Sequence, residues 1–257
     1  MGTIITFANQ KGGVGKTTTA TNLGAALAEM GSTVLLIDFD SQGNLTSSVG
    51  ADVEKPGIYR VLSGDFPARE LVQTTTQERL SIIPGGSDLT GANIELVEQE
   101  RREFFLHTAL REIRNEFDYV FVDSPPSLGL LTLNALVAAD AVMIPLQTEY
   151  FALEGLTQLM QSIKRVQTSF NHRLDLFGIL FTMYDSRTRL ANDVVQEVIG
   201  YFGKYVFRTI IPRNIRLSEA PSHGIPVTQY DTECVGARSY RKLAEEVAQR
   251  VEAKATR

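Results

Sequence analysis

The sequence predicts an α/β protein built on one doubly wound, mostly parallel sheet with helices on both faces. Three observations predict it. Short apolar, β-branched runs alternate with segments of helical periodicity along the chain. Two of those runs, 33–38 and 119–123, are almost wholly apolar, as in parallel strands covered on both sides. No composition break marks a linker, so residues 1–257 read as a single domain. Alternating strands and helices imply right-handed crossovers, and ligands should bind at the C-terminal ends of the strands.

Taken in order, 3–8 is a strand and 16–30 a helix closed by Gly31. Strand 33–38 leads into a polar loop over 39–57 and a short helix at 58–62. Strand 80–83 ends at Pro84-Gly85-Gly86, and residues 91–116 read as helix with dense charge. After strand 119–123 come a helix at 128–138, strand 141–146, helix 153–169, strand 174–182 and helix 190–202. A strand near 205–210 and a last helix over 236–253, apolar at Tyr240, Leu243, Val247 and Val251, complete the pattern.

The stretch that carries chemistry is 9–19, Asn-Gln-Lys-Gly-Gly-Val-Gly-Lys-Thr-Thr-Thr. Strand, glycine-rich loop, Lys-Thr and helix form the context of a phosphate-binding loop. Glycines let successive N–H groups turn inward on an anion, and the helix N-terminus adds partial positive charge there. Lys16 can reach the β- and γ-phosphates, and the Thr17 hydroxyl can ligate Mg²⁺. The motif departs from its standard form at Gln10, where glycine is usual, and carries a second lysine, Lys11. Lys11 either points toward something docked on the loop or is a solvated charge.

Three carboxylates fall at strand ends. Asp123 closes Val-Phe-Val-Asp and resembles a Walker B acid, which holds Mg²⁺ directly or through water. Asp38 and Asp40, two residues apart, project to one side of a strand end. Beside a triphosphate one can support the Mg²⁺ shell and the other can orient the attacking water. His107, His172 and His223 lack ligand spacing, and Cys234, the single cysteine, permits no internal disulfide or thiolate cluster. One cysteine and an N-terminus without a basic n-region point to a reducing cytoplasm. No window approaches a membrane span.

The chain carries net charge −5, against constitutive nucleic-acid binding. The charge is uneven: residues 1–180 carry −8 and residues 181–257 carry +3. Between Phe202 and Tyr230 the only acid is Glu219, against Lys204, Arg208, Arg213 and Arg216. This is a local basic region on an acidic chain.

The loop from Lys11 to Thr17 resembles the deviant Walker A motif of the ParA/Soj and MinD ATPases. Asp38-Phe39-Asp40-Ser41-Gln42-Gly43-Asn44 is similar to their switch motif, with Ser41 where proline is usual. Asp123-Ser124-Pro125-Pro126-Ser127-Leu128-Gly129 resembles a segment of ParA/Soj, and the stretches 182–188 and 211–222 resemble later motifs of chromosomal Soj-like proteins. The resemblance covers essentially the whole chain. It implies a P-loop NTPase fold and a Mg²⁺-dependent ATPase whose ATP-bound form is a homodimer. Gly12, Gly13, Val14, Gly15, Lys16, Thr17 and Thr18 would bind ATP, and Thr17, Asp38 and Asp123 would surround the metal. Lys11 would cross the dimer interface to the partner's phosphates, and Asp40 would support hydrolysis. Adenine would lie between the Thr182-Met183 strand end and Pro212–Asn214. The dimer would bind double-stranded DNA without sequence preference, with Arg187, Arg189, Arg213 and Arg216 as candidate contacts. A ParB-type partner would stimulate hydrolysis, in a nucleoid-associated, cytoplasmic system that partitions a chromosome or plasmid. Ser41 would loosen the switch turn by releasing a fixed φ.

Three rivals share the loop. The first is a MinD-like ATPase positioning another cargo or a membrane-associated system; a membrane-cycling one should end in a basic amphipathic helix with bulky apolar anchors, and residues 251–257 have no aromatic one. An iron–sulfur ATPase needs cysteines beyond Cys234. A metabolic P-loop ligase would turn over ATP only with its small substrate.

Overall fold

The structure, a computed structural model, describes residues 2–255; Met1, Thr256 and Arg257, the last two part of the 251–257 tail, lie outside the described residues. The sheet has seven strands: β1 (Thr3–Phe7), β2 (Val34–Asp38), β3 (Gln73–Thr74), β4 (Leu80–Ile83), β5 (Tyr119–Asp123), β6 (Ala141–Gln147) and β7 (Asp175–Thr182). Their order is β3-β4-β2-β5-β1-β6-β7. All neighbours run parallel except β3 and β4.

The central strands β2 and β5 are buried at every position, which is why they read as unbroken apolar runs. In chain order the helices are α1 (Lys16–Glu29), α2 (Asn44–Ser48), α3 (Ile58–Leu62), α4 (Leu89–Glu95), α5 (Phe105–Leu110), α6 (Leu130–Ala138), α7 (Ala152–Ser169), α8 (Arg189–Phe202), α9 (Arg216–Glu219), α10 (Val227–Tyr230) and α11 (Val235–Ala255). One face carries α1 and α11, packed on Ile5, Phe7, Leu36 and Phe121. Phe7 and Phe121 meet edge-to-face at 5.2 Å between ring centres. The opposite face, including Ile4, Leu35, Val120 and Val122, is covered by α6 (Leu130–Ala138), α7 (Ala152–Ser169) and α8 (Arg189–Phe202), among others. The doubly wound architecture is the one expected. Among the described residues, no helix is long and apolar enough to cross a membrane.

Three expectations are corrected. The loop over 39–57 contains a helix, α2 (Asn44–Ser48). Its Asn-Leu-Thr-Ser-Ser sequence is a weak helix former, and tertiary hydrogen bonds hold it. The continuous helix over 91–116 is broken into short pieces, because Gln99 is extended and Arg101 sits at φ 55 in the left-handed region. The strand near 205–210 reduces to one parallel bridge, Val206 to Ile179. Side chains of α11 take its backbone groups instead: Arg250 donates to the Val206 carbonyl at 2.9 Å, and Glu246 accepts from Arg208 N–H and Thr209 N–H, each at 3.0 Å.

Candidate functional site

The loop between β1 and α1 is fixed from several directions. Asn9 donates to the Pro145 carbonyl at 2.7 Å and accepts the Lys11 N–H at 3.0 Å. Thr182 at the end of β7 donates to the Val14 carbonyl at 2.8 Å, and Ser124 after β5 donates to the Phe7 carbonyl at 2.7 Å. Gly13 and Gly15 adopt φ of 73° and 85°, which only glycine takes without strain. Gly12 does not, and a Cβ there would meet nothing within the chain closer than Pro126, at 4.0 Å.

The two lysines of this loop lead different lives. Lys16 is 8% exposed and turns its Nζ back along the loop to the Asn9 carbonyl, at 3.3 Å. Burial lowers its pKa, partly offset by the charges of Asp123 and Asp40. Lys11 stands on the outer lip and ion-pairs with Glu149, both side chains about half exposed.

The carboxylates gather at adjacent strand ends, Asp38 opposite Asp123 in the β2–β5 register. Asp123 Oδ2 accepts the Thr17 hydroxyl at 2.6 Å. Its Oδ1 is buried with no hydrogen-bond partner among the described residues. Burial and the nearby Asp38 push the Asp123 pKa up to about 7, against the pull of Thr17 and Lys16. Burial likewise raises Asp38 to about 6, against hydrogen bonds from Thr46 and Asp40. Asp40 is half-buried, and its Oδ1 accepts the Gln42 N–H at 3.1 Å. The Gly43 N–H closes the turn on the Asp40 carbonyl at 3.1 Å, so the switch turn is held although Ser41 replaces proline.

An orphaned carboxylate oxygen beside a threonine hydroxyl fits a hard cation that prefers oxygen ligands. Among the described residues, no three His, Cys, Asp or Glu side chains converge as a metal cage. That suits Mg²⁺, which keeps waters and shares phosphate oxygens rather than filling an all-protein cage.

Beside the loop, Gly15, Thr18, Met183, Pro212, Asn214 and Tyr240 line a slot of about 90 Å³. Met183 is held at φ 50, with its sulfur accepting the Gln147 amide at 2.6 Å. Such a backbone in a bulky residue is a feature of functional clefts. Of the basic candidates, Arg213 lines this slot, whereas Arg187, Arg189 and Arg216 lie outside it. Arg187 grips Asp185 through two hydrogen bonds, at 2.8 and 2.6 Å, and Arg216 pairs with Glu219 at 2.8 Å and Asp231 at 3.2 Å. Arg189 is almost fully exposed, 3.7 Å from Asp193, and the charge of Arg213 acts on Asp185.

The structure thus brings Gly12 to Thr18, Asp38, Asp40 and Asp123 to one strand-end surface, with Met183, Pro212 and Asn214 alongside. Sequence reading missed Asn9, Thr46 and Glu149, and placed Thr182 only beside the adenine, without its bond to the loop. Only Asn9 adjoins the motif; the others meet it through distant contacts that spacing does not reveal.

Comparison with known proteins gives a consistent picture. The AAA domain family matches residues 2–176. The chromosome-partitioning ATPase Soj of Treponema pallidum is 54% identical over 97% of this chain and 98% of its own length. The sporulation initiation inhibitor protein Soj of Bacillus subtilis is 52% identical over 96% and 99%. Among solved structures, cobyrinic acid a,c-diamide synthase of Mycobacterium smegmatis with bound ADP and magnesium superposes with a TM-score of 0.87 at 38% identity, covering 99% of this chain and 97% of that one. By its sheet, its loop and these full-length relatives, the chain belongs to the Soj/ParA family of chromosome-partitioning ATPases.

Proposed function

We propose that this chain is an ATP-driven dimerisation switch that partitions DNA. Lys16 grips the β- and γ-phosphates of its own ATP, with the N–H groups of Gly12, Gly13, Val14 and Gly15 around them and Thr18 at the α-phosphate. Thr17 and Asp123 hold Mg²⁺, with Asp38 beside them. Bound there, Mg²⁺ supplies positive charge against the phosphate oxygens during hydrolysis. Asp40 orients the attacking water. Met183, Pro212 and Asn214 take the adenine.

The observation that carries the reading is the contrast between the two lysines. Lys16 is buried toward the loop's own anion site, whereas Lys11 is held outward on an exposed carboxylate. Exposed ion pairs contribute only about 0–1 kcal/mol, so Lys11 can leave Glu149 for a partner's phosphates at little cost. Two chains then enclose two nucleotides. Their paired surfaces bring together Arg187, Arg189, Arg213 and Arg216 from each copy, so DNA avidity rises although each copy's own surface is unchanged. DNA binding follows ATP although the single chain is acidic. A ParB-type partner stimulates hydrolysis and releases the dimer, in a cytoplasmic, nucleoid-associated cycle.

The Asp40→Ala variant tests this reading. On size-exclusion chromatography it should form a long-lived dimer with ATP and bind mixed-sequence duplex DNA only then. A monomer in ATP, or hydrolysis at the wild-type rate, would contradict it.

A further inference from the structure

Thr46 has no part in the roles assigned above, yet it is wholly buried against one of the site's carboxylates. Its backbone N–H and its hydroxyl converge on a single oxygen, Asp38 Oδ2, at 2.8 and 2.7 Å. The same hydroxyl oxygen accepts the Gly85 N–H at 3.0 Å and lies 3.3 Å from the Gly85 carbonyl. A hydroxyl has one proton, and the shorter contact places it on Asp38. Two donors therefore occupy Oδ2, while Oδ1 receives only the Asp40 N–H, at 3.3 Å. Oδ1 is the oxygen with acceptor capacity left. The Gly85 backbone closes on the same strand end: a Cβ there would fall 2.2 Å from the Asp38 carbonyl oxygen.

We propose that Thr46 is a positioning residue for the ATPase reaction: it clamps Asp38 Oδ2 and leaves Oδ1 as the oxygen presented to the metal's water shell. Through Gly85 N–H it also anchors that carboxylate to the turn after β4. The inference rests on the nucleotide-site reading above.

The experiment compares Thr46→Val, which keeps the shape and removes the hydroxyl, with Thr46→Ser, which keeps the hydroxyl. Binding of a fluorescent methylanthraniloyl-ATP is measured with Mg²⁺ and with EDTA, alongside kcat and KM. Loss of a hydrogen bond behind a metal-site carboxylate typically costs about 10- to 100-fold in metal affinity or activity. Thr46→Val should keep its EDTA affinity, lose the Mg²⁺-dependent gain in affinity by that factor with KM rising in step, and lose kcat as well. Thr46→Ser should recover both. A Thr46→Val protein with wild-type Mg²⁺ dependence and kcat overturns the proposal, as does a Thr46→Ser protein equally impaired, since packing would then be the role. If Thr46→Val does not fold, amide exchange on the wild-type chain decides. Slower exchange at Thr46 and Gly85 with Mg²⁺-ATP supports the clamp, and unchanged exchange overturns it. A wild-type chain whose nucleotide affinity ignores Mg²⁺ overturns the site reading as well, whereas failure of the variants alone leaves that reading standing.

Discussion

Asp38 and Asp123 are buried side by side, and their pKa values are raised to about 6 and about 7 from an ordinary 3.8. A carboxyl raised on folding contributes stability that is fully present below its unfolded value and lost as pH rises through its folded value. The nucleotide-free chain therefore loses these contributions between about pH 4 and pH 7. Mg²⁺-ATP favours the ionised carboxylates, so the rise in Tm on adding it should grow across that interval. Thermal shift assays across that range check this; a ligand-induced rise that is largest at the acid end would contradict it. At this scale the loop was legible, because the turns at Gly13 and Gly15 and the Lys16 and Thr17 side chains that follow them belong to one contiguous motif. Glu149 and Thr46 were not. Lys11 and Glu149 lie 138 residues apart, and Thr46 and Gly85 lie 39 apart. Only the fold brings them together.

Legibility of the elements followed burial. Strands β2, β5 and β6 are buried on both faces, so their sequences are apolar runs with one reading. Helices α7 and α8 show a clear apolar stripe because one side meets the sheet. Elements held by specific polar contacts gave no such pattern, as α2 and the Val206 segment show. The turn at Pro84–Gly86 illustrates how tightly these elements meet. Its Gly85 abuts the Asp38 carbonyl, and a Cβ on Gly57 would fall 2.4 Å from the Pro84 carbonyl. Gly85→Ala must push two backbones apart. Overpacking costs about 1–3 kcal/mol, and each kcal/mol lowers Tm by about 2–4 °C in a chain of this size. Scanning calorimetry should therefore find a Tm several degrees lower, with weakened Mg²⁺-nucleotide binding. An unchanged Tm would mean that the turn yields freely.

Across the whole molecule, the basic region after residue 181 was visible as a count of charges, but its arrangement was not. Arg187 and Arg216 are matched to carboxylates, and the Arg187 guanidinium holds Asp185 down at about 2. A neutralised arginine displaces few counterions from DNA; Arg187 makes two hydrogen bonds to Asp185, whereas Arg189 has only a looser contact with Asp193, at 3.7 Å. Arg189→Ala should weaken DNA binding by the ATP dimer and reduce its salt slope by about one for each phosphate no longer neutralised, more than Arg187→Ala does. Fluorescence anisotropy over a salt series measures both; a greater effect of Arg187→Ala would reverse the assignment. The central claim is that one loop serves two nucleotides, Lys16 its own and Lys11 the partner's. Sedimentation velocity of Lys11→Ala with ATP tests it most directly. The expected result is a folded chain that binds ATP yet sediments as a monomer, and an ATP-dependent dimer like that of the wild type would contradict it.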